Sequence, residues 1–289
     1  MTAVTVPTAT TTSGAPRPAL PGTARLGLAR VRYELTGFFR ERDAVIFIFA
    51  YPVIMLAIFA TVFGQDSAVA GPPGQEVPFA QYFLPGMIAT GLLLSSFQNL
   101  AIAIAEERDS GALKRLRGTP LPPSAYFLGK IGAVLVTSVV QMALLLAVAA
   151  VMFDVALPND PARWATFAWV FVLGTAAGVI CGIAFSSLPR SARSANAIVT
   201  PVVLVLQFIS GVFFTFADLP GWMQDVAALF PLKWMAQGMR SVFLPDWAAD
   251  LEPAGAWEHG TTALVLAVYL ALGLVVALRT FRWRRRDDG

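Results

Sequence analysis

The sequence predicts an all-α integral membrane protein. It has six transmembrane helices, N- and C-termini in the cytoplasm, an amphipathic interfacial helix before the first span, and short re-entrant or interfacial helices before the sixth. Three observations predict this. First, 56% of the 289 residues are hydrophobic and only 13% are charged, against about 25% charged in soluble domains; mean hydropathy is +0.65. Second, six runs (44–63, 82–105, 126–151, 164–188, 195–216 and 261–278) stay apolar over about 20 residues, the length that crosses a hydrocarbon core. Third, charge segregates. Eighteen of the 21 Lys and Arg precede span one, lie in or beside the 2–3 and 4–5 loops, or follow span six. Only Arg163, Lys233 and Arg240 fall on the other side, with ten acids. Lys and Arg stay cytoplasmic, so both termini are inside, and a miscounted span would scramble the partition.

Residues 1–22 are Thr, Ala, Pro, Ser and Gly with no apolar block, a disordered tail and not a signal peptide. Residues 23–42 form the interfacial helix. Leu28, Val31, Leu35, Phe38 and Phe39 share one face, with Arg30, Glu34 and Glu41 on another, which suits a helix lying at lipid head groups. The six-span domain follows over 43–279, and 280–289 is a basic tail. Span four carries Gly174, Gly178, Gly182 and Ser186 at four-residue spacing. Small residues so spaced let helices approach closely, either inside one subunit or across a dimer seam.

The loop 106–125 is the most densely charged of the stretches between spans. Glu106, Glu107 and Asp109 precede Lys114, Arg115 and Arg117, the order that a helix dipole favours. Asp109 or Ser110 can cap its start. Gly118 can take a left-handed position at its end, and Pro120 prevents continuation. Leu113 and Leu116 share a face. The segment 217–250 is too apolar for an ordinary loop and too interrupted to span. Asp218 can cap a helix beginning at Pro220, and Pro231 separates it from a second helix over 232–243. Trp222, Trp234 and Trp247 suit a membrane–water interface.

The composition also excludes chemistries. One cysteine, Cys181, allows no intrachain disulfide, and with one histidine, His259, it cannot make a zinc site; His259 reads as a solvated loop residue. Every Asp, Glu, Lys and Arg sits at a span end or outside, Lys130 near enough to its end to snorkel. Ion-coupled transporters place such groups within the membrane. Inside the spans the polar groups are neutral, among them Gln98, Asn99, Thr137, Ser138, Gln141, Asn196, Thr200, Gln207 and Ser210. They serve inter-helix hydrogen bonding or line a path. No GxxxxGK[ST] loop, nucleophile elbow or HExxH occurs. Energy for uphill transport would come from another polypeptide.

The run Glu107, Gly111, Leu113, Lys114, Arg115, Leu116, Arg117, Thr119, Pro120, Leu121, Pro122 and Tyr126 resembles the loop of type-2 ATP-binding-cassette (ABC) transporter permeases, especially the drug-export branch. The interfacial helix, the six spans and the proline-led segment from Pro231 to Arg240 extend that resemblance. Lys233 and Trp234 depart from it, where small or apolar residues are expected. The resemblance implies a fold, partners and roles. Loop 106–125 becomes a coupling helix inserted into a cytoplasmic ABC ATPase. Leu113 and Leu116 are its plug, Lys114, Arg115 and Arg117 its rim, and Glu106 and Glu107 the link to span two. Gln98, Asn99, Gln207, Phe208, Phe213 and Phe214 are expected along the substrate path, and Trp222, Pro231, Lys233 and Arg240 at an outer gate. The implied assembly pairs the chain with a second permease copy or paralogue and two ATPases, among membrane lipids and without nucleic acid. ATP-Mg resides on the partner, and this chain needs no cofactor. The expected function is export of a drug, antibiotic or lipid across the bacterial plasma membrane. The alternatives are lipid-linked polysaccharide export, a self-contained channel or secondary transporter, and a membrane enzyme.

Overall fold

A computed structural model describes residues 22–63, 69–70 and 75–281. The tails expected at 1–22 and 280–289 lie outside them, except for Gly22 and residues 280–281. Helix α1 (Thr23–Arg40) breaks at Glu41 and α2 (Arg42–Phe63) forms span one. A two-residue hairpin pairs β1 (Val69–Ala70) with β2 (Glu76–Val77). Span two is α3 (Phe79–Leu93), a π-helical turn at Leu94–Asn99, and α4 (Leu100–Asp109). The short α5 (Ala112–Arg117) follows, then α6 (Pro123–Met152), α7 (Pro161–Phe185) and α8 (Ala192–Ile209) as spans three to five. Helices α9 (Gly221–Ala228) and α10 (Pro231–Phe243) precede span six, α11 (His259–Thr280). Among the described residues six helices are long and apolar enough to cross a membrane.

Burial ranks the spans. Tyr82 through Leu93 is buried without interruption, so span two is the central helix. It packs against α2, α6, α7 and α10. Spans one and six bury little of their surface within the chain. They present apolar faces, such as Ile46, Phe47, Ile54, Leu264 and Leu272, that require lipid or another protein.

Local chemistry corrects several expected boundaries. Span two runs past Ala105 to Asp109, so Glu106, Glu107 and Asp109 end that helix and do not begin the next. The break falls at Gly111, whose φ is +72°, while Gly118 is right-handed at −77°. The left-handed glycine thus closes α4, where a Cβ costs most; neither Asp109 nor Ser110 caps α5. Span five stops at Ile209, short of Phe216, because Gly211 takes φ +70° and turns the chain. Its start is earlier than expected, because Ser191 accepts from the Ser194 amide while the Ser194 hydroxyl accepts from the Ser191 amide, a reciprocal cap. Asp218 does not cap α9; Gln224 bonds the carbonyls of Ala217 and Leu219 there. His259 is the first residue of α11, bonded to Ser241 at 2.8 Å, and is not a loop residue.

Pro52 sits inside α2 and has no N–H, so the Ile48 carbonyl loses its helical donor. In a membrane such a carbonyl needs another. Gln141 of α6 supplies it, Nε2 to O at 2.8 Å. Gln141→Leu is expected to cost about 1 kcal/mol. In a Pro52→Ala background, where the helical donor returns, that cost shrinks; a double-mutant cycle in detergent unfolding reads the difference.

Candidate functional site

Charged side chains gather at the end of the bundle that carries α1, where α4 meets α5. Helix α5 is a knob whose lower face belongs to the chain's own core. Leu113 is 1% exposed and packs with Leu100, Ile104, Tyr126 and Val179, with Leu116 against the same group. Leu113 therefore does not project as a plug; the break at Gly111 rotates it inward. Exposed on α5 are Lys114, Arg115 and Arg117. The corner behind the knob is tied down. Arg108 donates to the Pro189 carbonyl at 2.9 Å, and the Ala192 amide donates to Asp109 Oδ2 at 3.4 Å. The second contact puts a carboxylate at the N-terminus of α8, where the helix dipole favours it. The knob is thus joined to the 4–5 loop and to the start of span five.

Glu107 does not bridge to the knob. It joins α1, span two and span three. Lys130 Nζ lies 2.7 Å from Glu107 and 2.7 Å from Glu34, Arg30 lies 2.6 Å from Glu34 and 3.5 Å from Glu107, and the Tyr126 hydroxyl donates to Glu107 at 2.7 Å. Two cations and two carboxylates balance, which lets a buried cluster survive desolvation. Lys130 is 4% exposed and does not snorkel. Likewise Arg30 and Glu34 point into the bundle instead of toward head groups. Two glycines make room for them. A Cβ on Gly129 would stand 2.2 Å from Arg30 Cγ, and one on Gly132 2.5 Å from a Val31 methyl. Helix α1 is consequently packed along α6, with Leu28 and Phe39 left exposed.

Halfway along span two, the π turn carries Gln98 and Asn99. Ser95 in that turn bonds back to the Gly91 carbonyl and across to Ser138 at 2.8 Å. Back-bonding of this kind bends helices, and π turns recur at functional sites. Gln98, Asn99 and Gln207 line one cleft of about 300 Å³ with Tyr51 and Thr200. Gln98 reaches Thr200 at 3.4 Å, and the Tyr51 hydroxyl donates to Gln207 at 2.7 Å, tying span one to span five. Phe208, Phe213 and Phe214 do not join this cleft. Phe213 is buried among Phe59, Phe83 and Phe208, while Phe208 and Phe214 are exposed at the far end of α8 and just beyond it. The glycine stripe backs the π turn. A Cβ on Gly174 would touch Met235, one on Gly178 would strike Ser96 Oγ at 2.0 Å, and one on Gly182 would meet the carbonyls of Phe97 and Ser96 at 3.0 and 3.1 Å. The stripe is covered by this chain's own spans.

At the opposite end, α10 is buried on every side between α3, α7 and α11, with Pro231 at its first position, where a missing N–H costs nothing. Arg240, 3% exposed, donates Nε to Glu252 at 2.6 Å and Nη1 to the Gly211 carbonyl at 3.0 Å. It holds α10 to the turn that ends span five. Lys233 bonds Gln237, lies 3.8 Å from Glu258 and sits 3.6 Å above the Trp234 ring. Burial pushes its ammonium below the ordinary lysine range, offset in part by Glu252 and Glu258. Trp234 is buried and donates to the Ala228 carbonyl at 2.7 Å; Trp222 remains 64% exposed. Sequence reasoning missed Arg30, Glu34, Lys130 and Tyr126 as one cluster, and Glu252 and Glu258 as partners of α10. The signal available for Lys130 was a lysine inside the expected third span, one turn from its start. Among the described residues no group of three or more His, Cys, Asp and Glu could hold a metal.

The model of the family described as "ABC-2 family transporter protein" matches residues 66–279. The chain is 23% identical over 195 residues to the inner membrane transport permease YadH of Escherichia coli, covering 67% of this chain and 74% of that protein. It is 22% identical over 182 residues to a protein named "Probable multidrug ABC transporter permease YbhR" of Escherichia coli, covering 63% of this chain and 49% of that one. It is 21% identical over 244 residues to a protein named "Putative transport permease YvfS" of Bacillus subtilis, covering 84% of this chain and 92% of that one.

Proposed function

The chain belongs to the ABC-2 family of transporter proteins, and we propose that it is the membrane half of an ATP-driven exporter that moves a hydrophobic or amphipathic molecule, a drug, antibiotic or lipid, out of a bacterial cell. It is a multi-pass membrane protein and a permease subunit without ATPase chemistry of its own. A separate cytoplasmic ATPase binds ATP-Mg and docks on the knob α5, in an assembly of two permeases and two ATPases. The termini and the knob face the cytoplasm, a placement supported by the segregation of Lys and Arg. The multidrug wording attached to YbhR and the apolar spans support an amphipathic cargo.

The observation that carries the reading is the mounting of the knob. Its exposed side offers Lys114, Arg115 and Arg117 to an acidic partner surface. Its inward side is welded through Leu113, Arg108 and Asp109 to spans two, three and five. A displacement of the knob is then delivered to the spans that line the cleft. The cleft lining is mixed, with Gln98, Asn99 and Gln207 beside Phe47 and Leu204, which suits a molecule with both polar and apolar parts.

The test is affinity purification of the tagged permease from its host in mild detergent. An ABC ATPase is expected at near-equal amount with wild type and at least about tenfold reduced with Arg115→Glu/Arg117→Glu, about 1.4 kcal/mol of lost docking. Permease folding should be unchanged, because both side chains are exposed. Equal ATPase recovery with the variant, or recovery of the permease alone under conditions that preserve other ABC complexes, would overturn the reading. Leu113→Asp is not a useful probe, since it buries a carboxylate in the core and unfolds the corner.

A further inference from the structure

We infer that the cavity between α1, span two and span three is a binding site for organic cations with apolar bulk. The cavity measures about 420 Å³ and is open on one side, within the range of small-molecule sites. Its floor is apolar, with Ile48, Leu100 and Val134, and Phe38 supplies an aromatic wall, while Arg30 already lies 4.6 Å above the Tyr33 ring. Four carboxylates line it, those of Glu34, Glu41, Glu106 and Glu107, against one lysine, Lys130.

The charges do not cancel. Glu34 and Glu107 are taken up by Arg30 and Lys130 in the cluster described above. Glu41 and Glu106 have no side-chain hydrogen bond or ion pair among the described residues, and both are exposed at the rim of the cavity. Two carboxylates held together at the rim of an apolar, aromatic hollow are relieved by a cation, and aromatic faces attract one directly. Among the described residues its carboxylates do not converge as a metal-holding group, and two of them are already paired with Arg30 and Lys130. An anion of the same shape meets repulsion, and a neutral one gains only the apolar contact. Ile48 and Asn99 line both this cavity and the cleft toward span five, so a ligand held here borders the second site. That the bound cation is cargo rests on the exporter reading; that it binds does not.

The experiment is equilibrium dialysis of labelled tetraphenylphosphonium against the full chain in zwitterionic phosphatidylcholine nanodiscs, with empty discs subtracted. Saturable binding is expected, whereas labelled tetraphenylborate, the same shape with opposite charge, dialysed in a separate experiment, should show none above empty discs. Glu41→Gln/Glu106→Gln should weaken binding of the cation about tenfold, since each lost charge contributes on the order of a factor of three at an exposed rim. Asp225→Asn/Asp250→Asn, an equal charge loss at the other end of the bundle, should leave it unchanged. The inference is overturned by absence of saturable binding, by equal affinity in the Glu41→Gln/Glu106→Gln variant, or by an equal loss in Asp225→Asn/Asp250→Asn. ATPase co-purification is independent of all three outcomes, so failure here is distinguishable from failure of the exporter reading.

Discussion

Lys130→Met is expected to destabilise the permease by about 3–5 kcal/mol, the cost of stranding a buried partner charge. Lys130 makes close contact with both Glu34 and Glu107, each at 2.7 Å. Without it Glu107 keeps the Tyr126 hydroxyl and a 3.5 Å contact to Arg30, too little for a carboxylate in this setting. Helix α1 then loses its electrostatic tie to α6 and keeps only the 3.5 Å contact to span two. Unfolding in a denaturing-detergent titration reads the loss. Lys130→Met/Glu107→Gln should recover part of it, because the second change removes the stranded charge and leaves Arg30 with Glu34. A loss in Lys130→Met no greater than that in exposed Arg25→Met would show that the cluster contributes nothing, and an unrelieved double variant would show that packing, not charge, is at stake.

The second large effect is steric. Gly182→Val is expected to cost about 3 kcal/mol, at the upper end of overpacking penalties, because the neighbours at 3.0 and 3.1 Å are backbone carbonyls of the π turn and cannot step aside. Gly178→Ala meets a side chain, Ser96 Oγ at 2.0 Å and Cβ at 2.9 Å. Ser96→Ala should therefore restore part of the Gly178→Ala loss and none of the Gly182→Val loss. Because the stripe presses on the turn that carries Gln98 and Asn99, Gly182→Val should also reduce transport in molecules that remain folded. If both glycine variants unfold like wild type, spans two and four are not packed this closely and the π turn has no support behind it.

The knob shows where a pattern in the sequence stops being informative. Its position, its bases and its glycine-and-proline punctuation were legible. Which glycine turns left was not, because Gly111 and Gly118 both flank a short helix and either could close it. Choosing Gly118 made Leu113 and Leu116 look like a free apolar face; the turn at Gly111 rolls Leu113 against Tyr126 and Val179. The polar residues in the spans were equally visible, and three of them, Gln98, Asn99 and Gln207, do come together. Phe208, Phe213 and Phe214 do not: Phe208 is exposed on the last turn of span five, and the other two lie past Ile209, where the chain turns at Gly211. Pro52 and Gln141 carried a signal that could have been read as a pair, a span carbonyl without a donor and an amide with none assigned.

By itself the sequence determined the class of the protein, its six spans, the segregation of its positive charge and the place of the knob. Hydropathy, charge and chain breaks are properties of consecutive residues, and a bilayer imposes a fixed length on each apolar run. Only the tertiary structure decided which face of each helix meets which neighbour. The bonds that fix those faces join residues far apart in the chain: Arg30 with Glu107, Tyr51 with Gln207, Arg108 with Pro189, Gln141 with Ile48. A helical period says which residues share a face, and buried polar groups must find partners somewhere. Where they find them depends on close approaches allowed by Gly129, Gly132, Gly178 and Gly182, which become visible only once the helices are side by side.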